Sequence, residues 1–160
     1  MIGGVAFAQV ASVATAQSLQ GVISTAARTA AAQSGFQALA ADAKTAAIVT
    51  SVSNALSLSG ASSEVIADAL IQAVADGTIS AGVALSVAAA VAPDMAAKIA
   101  AAPAVVAQLS RTGQSATVTA STNAAGGVSV LVGLTGAGGG GGGTAAYDPC
   151  AGVIAAYCGG

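Results

Sequence analysis

Histidine is absent from this chain, and cysteine occurs only twice. Histidine is the commonest general base at neutral pH, and histidine and cysteine are the commonest ligands of structural zinc. The chain's own residues therefore cannot build a histidine-based catalytic triad or such a metal site. Its six carboxylates are spread along the sequence, mostly at predicted helix ends, and no catalytic motif joins them. We expect a protein that is not an enzyme and that uses no cofactor or metal.

Charge is also scarce, because Asp, Glu, Lys and Arg make up 6% of the 160 residues. A typical soluble domain has roughly 25%. The four basic residues are scattered and leave a net charge of −2, so no nucleic-acid partner is expected. Soluble monomers are normally kept apart by a charged surface. A surface this neutral fits burial in an assembly, a membrane setting, or a secreted protein coated with Ser, Thr and Gln.

Bulky side chains are few: aromatic residues make up 2% of the chain, and much of its 55% hydrophobic content is alanine. Alanine removes little surface from water, so the core must come from the close approach of helices. Small residues on several faces let helices pack on more than one side, as in membrane and fibre assemblies. An ordinary alanine-rich soluble bundle fits this composition equally well.

The first residues have two interpretations. Ala6-Phe7-Ala8 before Gln9 resembles the small-x-small end of a secretory signal peptide, although no basic region precedes it and the apolar run is short. In the first interpretation, Met1–Ala8 is the remnant of a signal peptide. In the second, these residues form the first turns of an alanine-rich helix. No segment is a convincing membrane span of about 20 apolar residues, so a membrane partner is possible but not favoured.

Residues 1–111 are predicted to form an alanine-rich body of four to five helices. Apolar residues recur at helical spacing, and Gly35, Gly60 and Gly77 are predicted to end elements. The predicted helical stretches are Gly4–Ala32, Gln37–Leu58, a helix capped by Ser62 or Ser63, Ile79–Val91, and a stretch after Pro93 that breaks at Pro103.

Residues 112–136 are predicted to form a β-hairpin of two strands, Ser115–Thr122 and Val128–Leu134. A lone hairpin is marginal in water, and neither strand carries the charge or proline that blunts an edge. We therefore expect strands of neighbouring subunits to complete the sheet, although the hairpin could instead dock on its own helices with exposed edges. The expected assembly contacts are the apolar side chains of both strands: Val118, Val128, Val130, Val132 and Leu134.

A glycine-rich tether, residues 137–145, and a short tail, residues 146–160, follow the hairpin. The tail contains both cysteines, and a Cys150–Cys158 disulfide would contribute about 2–3 kcal/mol and indicate an oxidising compartment. Two free thiols in a cytosolic protein are the alternative. The tail could dock into a neighbouring subunit or seal the end of its own bundle.

Taken together, these features predict a mainly α protein: a helical bundle, a β-hairpin, a glycine tether and a disulfide-closed tail. The expected function is a structural, self-assembling subunit of an extracellular filament, pilus-like fibre or matrix. Its partners would be copies of itself, and its location secreted, extracellular or at the cell surface. The alternatives are a membrane-active or pore-forming exported protein and a soluble exported binding module.

Overall fold

A computed structural model of the chain describes residues 16–122, 128–135, 148–150 and 153. These residues form a mainly helical body followed by a two-stranded antiparallel hairpin, as the sequence predicts. The helices are α1 (Ala16–Ala31), α2 (Ala41–Ser59), α3 (Ser63–Asp76), α4 (Ala81–Val91), α5 (Ala96–Ala100) and α6 (Pro103–Thr112). The strands are β1 (Ser115–Thr122) and β2 (Val128–Thr135).

Two of the helices begin at serine caps. The Ser62 hydroxyl accepts a hydrogen bond from the Val65 N–H at 3.4 Å, and the Ser80 hydroxyl accepts one from the Val83 N–H at 3.3 Å. Such caps satisfy backbone donors that the first helical turn leaves without a partner. The predicted start of α3 is thereby confirmed at Ser62, and its predicted end is confirmed at Gly77, whose φ is 79°.

The second helix begins later than the predicted Gln37. Gly35 has a left-handed backbone with φ 84°, and a 3₁₀ turn over Phe36–Ala38 follows it. Leu39 is then extended, so the chain changes direction before α2 starts at Ala41. The predicted stretch Gly4–Ala32 is described from Ala16 onward, where α1 begins; Met1–Ala8 lies outside the described residues.

The last predicted helical stretch is divided into three pieces. Pro93–Met95 forms a 3₁₀ turn, α5 is a short helix of 5 residues, and α6 starts at Pro103. Ala102, which precedes this proline, is extended with ψ 137° because the proline ring disfavours a helical residue before it. The predicted break at Pro103 is therefore confirmed, and the helical body has more and shorter elements than expected.

Helix α4 lies at the centre of the fold. It contacts α2, α3, α5, α6 and both strands, and it is buried almost all round. Its buried residues are mostly small, which lets the surrounding elements approach closely. These residues are Ala81, Gly82, Val83, Ala84, Leu85, Val87 and Ala88.

Candidate assembly surface and tail anchor

The hairpin covers α4 with one face and presents the other to solvent. Its strands pair in register from Ser115↔Thr135 to Thr122↔Val128. The inner side chains Ala116, Val118, Val130 and Val132 are partly buried against the helical core, whereas Thr117, Thr119 and Leu131 on the outer face are exposed. The apolar side chains of the two strands therefore share one face, and the helices of the same chain cover this face.

The residues predicted as assembly contacts fall largely on this inner face. Val118, Val130 and Val132 pack on their own helical body, and Leu134 is half-buried. The side chain of Val128 lies outside the described residues. A role for these five residues in contacts between subunits stays a prediction. Any such contact would use the backbone of their strands more than their side chains, since three of the side chains already have an apolar environment.

Both long edges of the hairpin lack a strand partner among the described residues, because the sheet there consists of β1 and β2 alone. Each eight-residue strand therefore presents outward-facing N–H and C=O groups along its free edge. Neither strand contains a charged residue or a proline. Charged residues and prolines are the features that normally prevent a natural edge strand from pairing with another chain.

The outer face, defined here by Ser115, Thr117, Thr119, Leu131 and Gly133, has one large apolar side chain. Leu131 is 73% exposed. Gly133 lies directly across from Thr117, and a Cβ built on this glycine would come within 2.7 Å of the Thr117 Oγ1. The glycine thus lets the threonine lie flat across the neighbouring strand. Leu131 consequently projects from an otherwise small and hydroxyl-rich surface.

A buried glutamine fixes the start of α4, the helix that lies beneath the hairpin. Gln108 on α6 has no exposed surface; its Oε1 accepts a hydrogen bond from the Ala81 N–H, and its Nε2 donates to the Ile79 carbonyl at 3.4 Å. Its amide therefore joins α6 to the start of α4. The sequence interpretation missed this role. One signal in the sequence could have indicated that Gln108 is buried: it stands three residues after Val105, on the apolar side of α6.

A second buried glutamine anchors the C-terminal segment. Gln114, only 6% exposed, precedes β1, and its Oε1 accepts a hydrogen bond from the Asp148 N–H at 2.7 Å. Its Nε2 donates to the Asp148 carbonyl at 3.4 Å and to the Thr112 Oγ1 at 3.2 Å. We call Thr112 and Gln114 the anchor site. No pattern in the sequence pointed to it, because its partner is a main chain 34 residues away.

The segment held by the anchor site turns sharply and packs on its own body. The Cys150 N–H donates to the Asp148 Oδ1 at 2.9 Å, and the Val153 N–H donates to the Cys150 carbonyl at 3.1 Å. Pro149 is buried, and Cys150 and Val153 are partly buried against the core. Cys158 and the glycine run Gly138–Gly143 lie outside the described residues, so the Cys150–Cys158 disulfide and the tether stay predictions.

An open groove of about 640 Å³ runs between α1 and α2. Small, apolar and hydroxyl side chains line it, and two of the hydroxyls donate to backbone carbonyls: Thr29 to Thr25 at 2.8 Å and Ser51 to Ala26 at 2.9 Å. Among the described residues, none that lines the groove is charged. Its chemistry suits the close approach of another apolar surface better than the binding of an ion or a reacting substrate.

Across the described ranges, no three or more Cys, Asp or Glu side chains are grouped so that they could hold a metal ion. Among the helices of the described part of the chain, none is both long and apolar enough to cross a membrane. No protein-family model matches this sequence, and neither a curated protein nor a solved structure matches it.

Proposed function

We propose that this protein is a non-enzymatic structural subunit that polymerises with copies of itself into an extracellular filament, pilus-like fibre or matrix. The observation that supports the proposal is the hairpin, whose inner face is covered by its own helices while both of its edges lack a strand partner in the described residues. Strand pairing between neighbouring copies is the contact that would link the subunits.

The edges favour association because their backbone groups can gain partners without any rearrangement of the fold. A strand from a neighbour would add main-chain hydrogen bonds, and alternate side chains would set the register. A strand added beside β2 would bring its own side chains next to the exposed Leu131 and shield part of that leucine from water. Because each copy has two different edges, β1 and β2, pairing of unlike edges is head-to-tail, and it continues as an open filament when the repeated rotation does not close a ring.

The proposed second contact is helix packing through small residues at the groove between α1 and α2. Arg28 is the only charged residue of α1, and α2 has none after Lys44. Helices with small side chains approach each other closely, so their backbones and methyl groups form most of the contact. The predicted glycine tether and disulfide-closed tail belong to the same proposal, as does a secreted or cell-surface location.

The sharpest test compares two identical substitutions at exposed leucines. Leu131→Lys places a charge on the outer face of the hairpin, whereas Leu58→Lys places the same charge on α2, where the leucine is 88% exposed. Lysine on an edge strand opposes pairing, because each added copy brings another like charge close to the last. We expect wild type and Leu58→Lys to form filaments by electron microscopy, and Leu131→Lys to remain monomeric in light scattering.

Two outcomes would count against the proposal. A sharp monomer peak from the wild type at high concentration would contradict self-assembly altogether. Equal assembly of Leu131→Lys and Leu58→Lys would place the contact away from the hairpin. Leakage of lipid vesicles by the wild type would instead favour the membrane-active alternative.

A further inference from the structure

The two ends of the connection between the hairpin and the C-terminal segment meet at one place. Thr135, the last residue of β2, pairs with Ser115. Asp148 is bound by Gln114, the residue immediately before Ser115. The two described residues that flank positions 136–147, Thr135 and Asp148, therefore both lie at the root of the hairpin. A connection between two such close points needs only about 2–5 residues.

The connection is much longer than this closure requires. Residues 136–147 include Gly138–Gly143 and contain no charged residue or proline. A chain of this length spans up to roughly 45 Å when extended. That reach is comparable with the diameter of a domain of this size, about 40 Å. Its length would therefore allow the C-terminal segment to reach an adjacent copy as well as its own body.

The anchor site is built entirely from residues that precede the connection. The Thr112 hydroxyl donates to the Gln108 carbonyl at 2.9 Å and accepts from the Gln114 Nε2 at 3.2 Å, which orients the buried amide. That amide then binds both backbone groups of Asp148. Because the site is complete without residues 136–160, it offers the same hydrogen bonds to Asp148 of its own chain and to Asp148 of another copy.

We infer that the anchor site of one copy binds the Asp148–Cys150 segment of a neighbouring copy in the assembled protein, so that subunits are linked by exchanged tails. This inference rests on the proposed self-assembly and names a second link within it. Exchange conserves every contact of the closed chain, so its net cost is small. Hairpin pairing raises the local concentration of neighbouring tails, which favours the exchange.

Two full-length variants break the contact from opposite sides. Gln114→Ala removes the anchor amide and leaves the tail intact. Asp148→Pro removes the N–H that donates to the Gln114 Oε1, together with the Oδ1 that accepts from the Cys150 N–H, and it leaves the anchor site intact. We expect each variant alone to need about a tenfold higher concentration than wild type to assemble, since hydrogen bonds at a buried site are lost.

Mixing the two variants is the decisive measurement. The intact tail of Gln114→Ala can bind the intact site of Asp148→Pro, so an equimolar mixture should assemble at a concentration well below that of either variant. Circular dichroism checks that both are folded. Gln114→Met, which keeps nearly the same side-chain length but has no amide, replaces Gln114→Ala if that variant is not folded. A mixture that behaves as the average of its components overturns the exchange, as does normal assembly of either variant alone. Failure of the wild type to assemble would instead overturn the proposed function.

Discussion

The amide oxygen of Gln108 lies 2.5 Å from the backbone nitrogen of Ala81, at the first turn of the central helix. Ala81 is completely buried, so its N–H has no access to water. The Ser80 hydroxyl satisfies the N–H of Val83 two residues further on. A serine cap and an amide from another helix thus divide the donors of one buried helix end between them.

Loss of the Gln108 amide should destabilise the whole domain. In Gln108→Leu the buried Ala81 N–H loses its acceptor, and an unsatisfied buried donor costs about 1–3 kcal/mol. Urea unfolding monitored by circular dichroism measures this change in free energy. Gln17→Leu is the matched control because Gln17 is exposed on α1, and we expect it to change stability by less than about 0.5 kcal/mol. Equal effects of the two substitutions would contradict the structural role of Gln108.

Two glycines should respond to alanine with opposite signs. A Cβ at Gly21 or at Gly60 meets no atom within 4 Å, so neither substitution causes a clash. Gly60 has φ 69°, where a side chain costs about 1–2 kcal/mol, whereas Gly21 lies inside α1. Gly60→Ala should therefore lower the free energy of unfolding, and Gly21→Ala should raise it by about 0.5–1 kcal/mol. Thermal unfolding of both variants checks the signs, and the same sign for both would refute this explanation.

The contact between Thr117 and Gly133 should appear as an energetic coupling. Gly133→Ala places a methyl group 2.7 Å from the Thr117 Oγ1, and a β-branched side chain has few alternative rotamers. Thr117→Ala removes the obstructing oxygen. We expect the double variant to be about 0.5–1 kcal/mol more stable than the sum of the single changes. A double-mutant cycle from denaturant unfolding measures the coupling. Strict additivity would show that Thr117 is not what makes a side chain at position 133 unfavourable.

The ion pair between Lys98 and Asp68 should contribute little. Its atoms lie 3.5 Å apart, and both side chains are about half exposed, at 53% and 54%. Exposed pairs are screened by solvent and salt, so Lys98→Met should cost no more than about 1 kcal/mol. The loss should shrink further when unfolding is measured at high salt. A larger, salt-independent loss would indicate that the stem of Lys98 matters through packing.

The predicted Cys150–Cys158 disulfide has a direct test. Alkylation of the unfolded chain before and after reduction should show no reactive thiol in the first case and two in the second, as counted by mass spectrometry. Reduction should lower stability by about 2–3 kcal/mol in the chain-entropy account of a loop this short. Modification of both thiols before reduction would favour the alternative of free cysteines.

The local pattern of the sequence was sufficient for much of the fold. Strand β1 has the predicted bounds, β2 is one residue longer than predicted, and α3 begins and ends at the predicted cap residues. These features depend on neighbouring residues: side-chain alternation, a serine cap and a glycine end. The division of the chain after Pro93 was less predictable, because 3₁₀ turns and one-turn helices have weak local preferences.

Composition and periodicity by themselves determined a mainly helical, alanine-rich body with a neutral hairpin behind it. Only the tertiary structure decided which surfaces of that hairpin stay open. Val118, Val130 and Val132 face inward because α4 offers a buried apolar surface, and this leaves the strand edges and Leu131 outside. Tertiary structure also decided that Gln108 and Gln114 are buried. Their partners are backbone groups distant in sequence, and a glutamine's own sequence neighbours do not indicate which distant main chain its amide will meet.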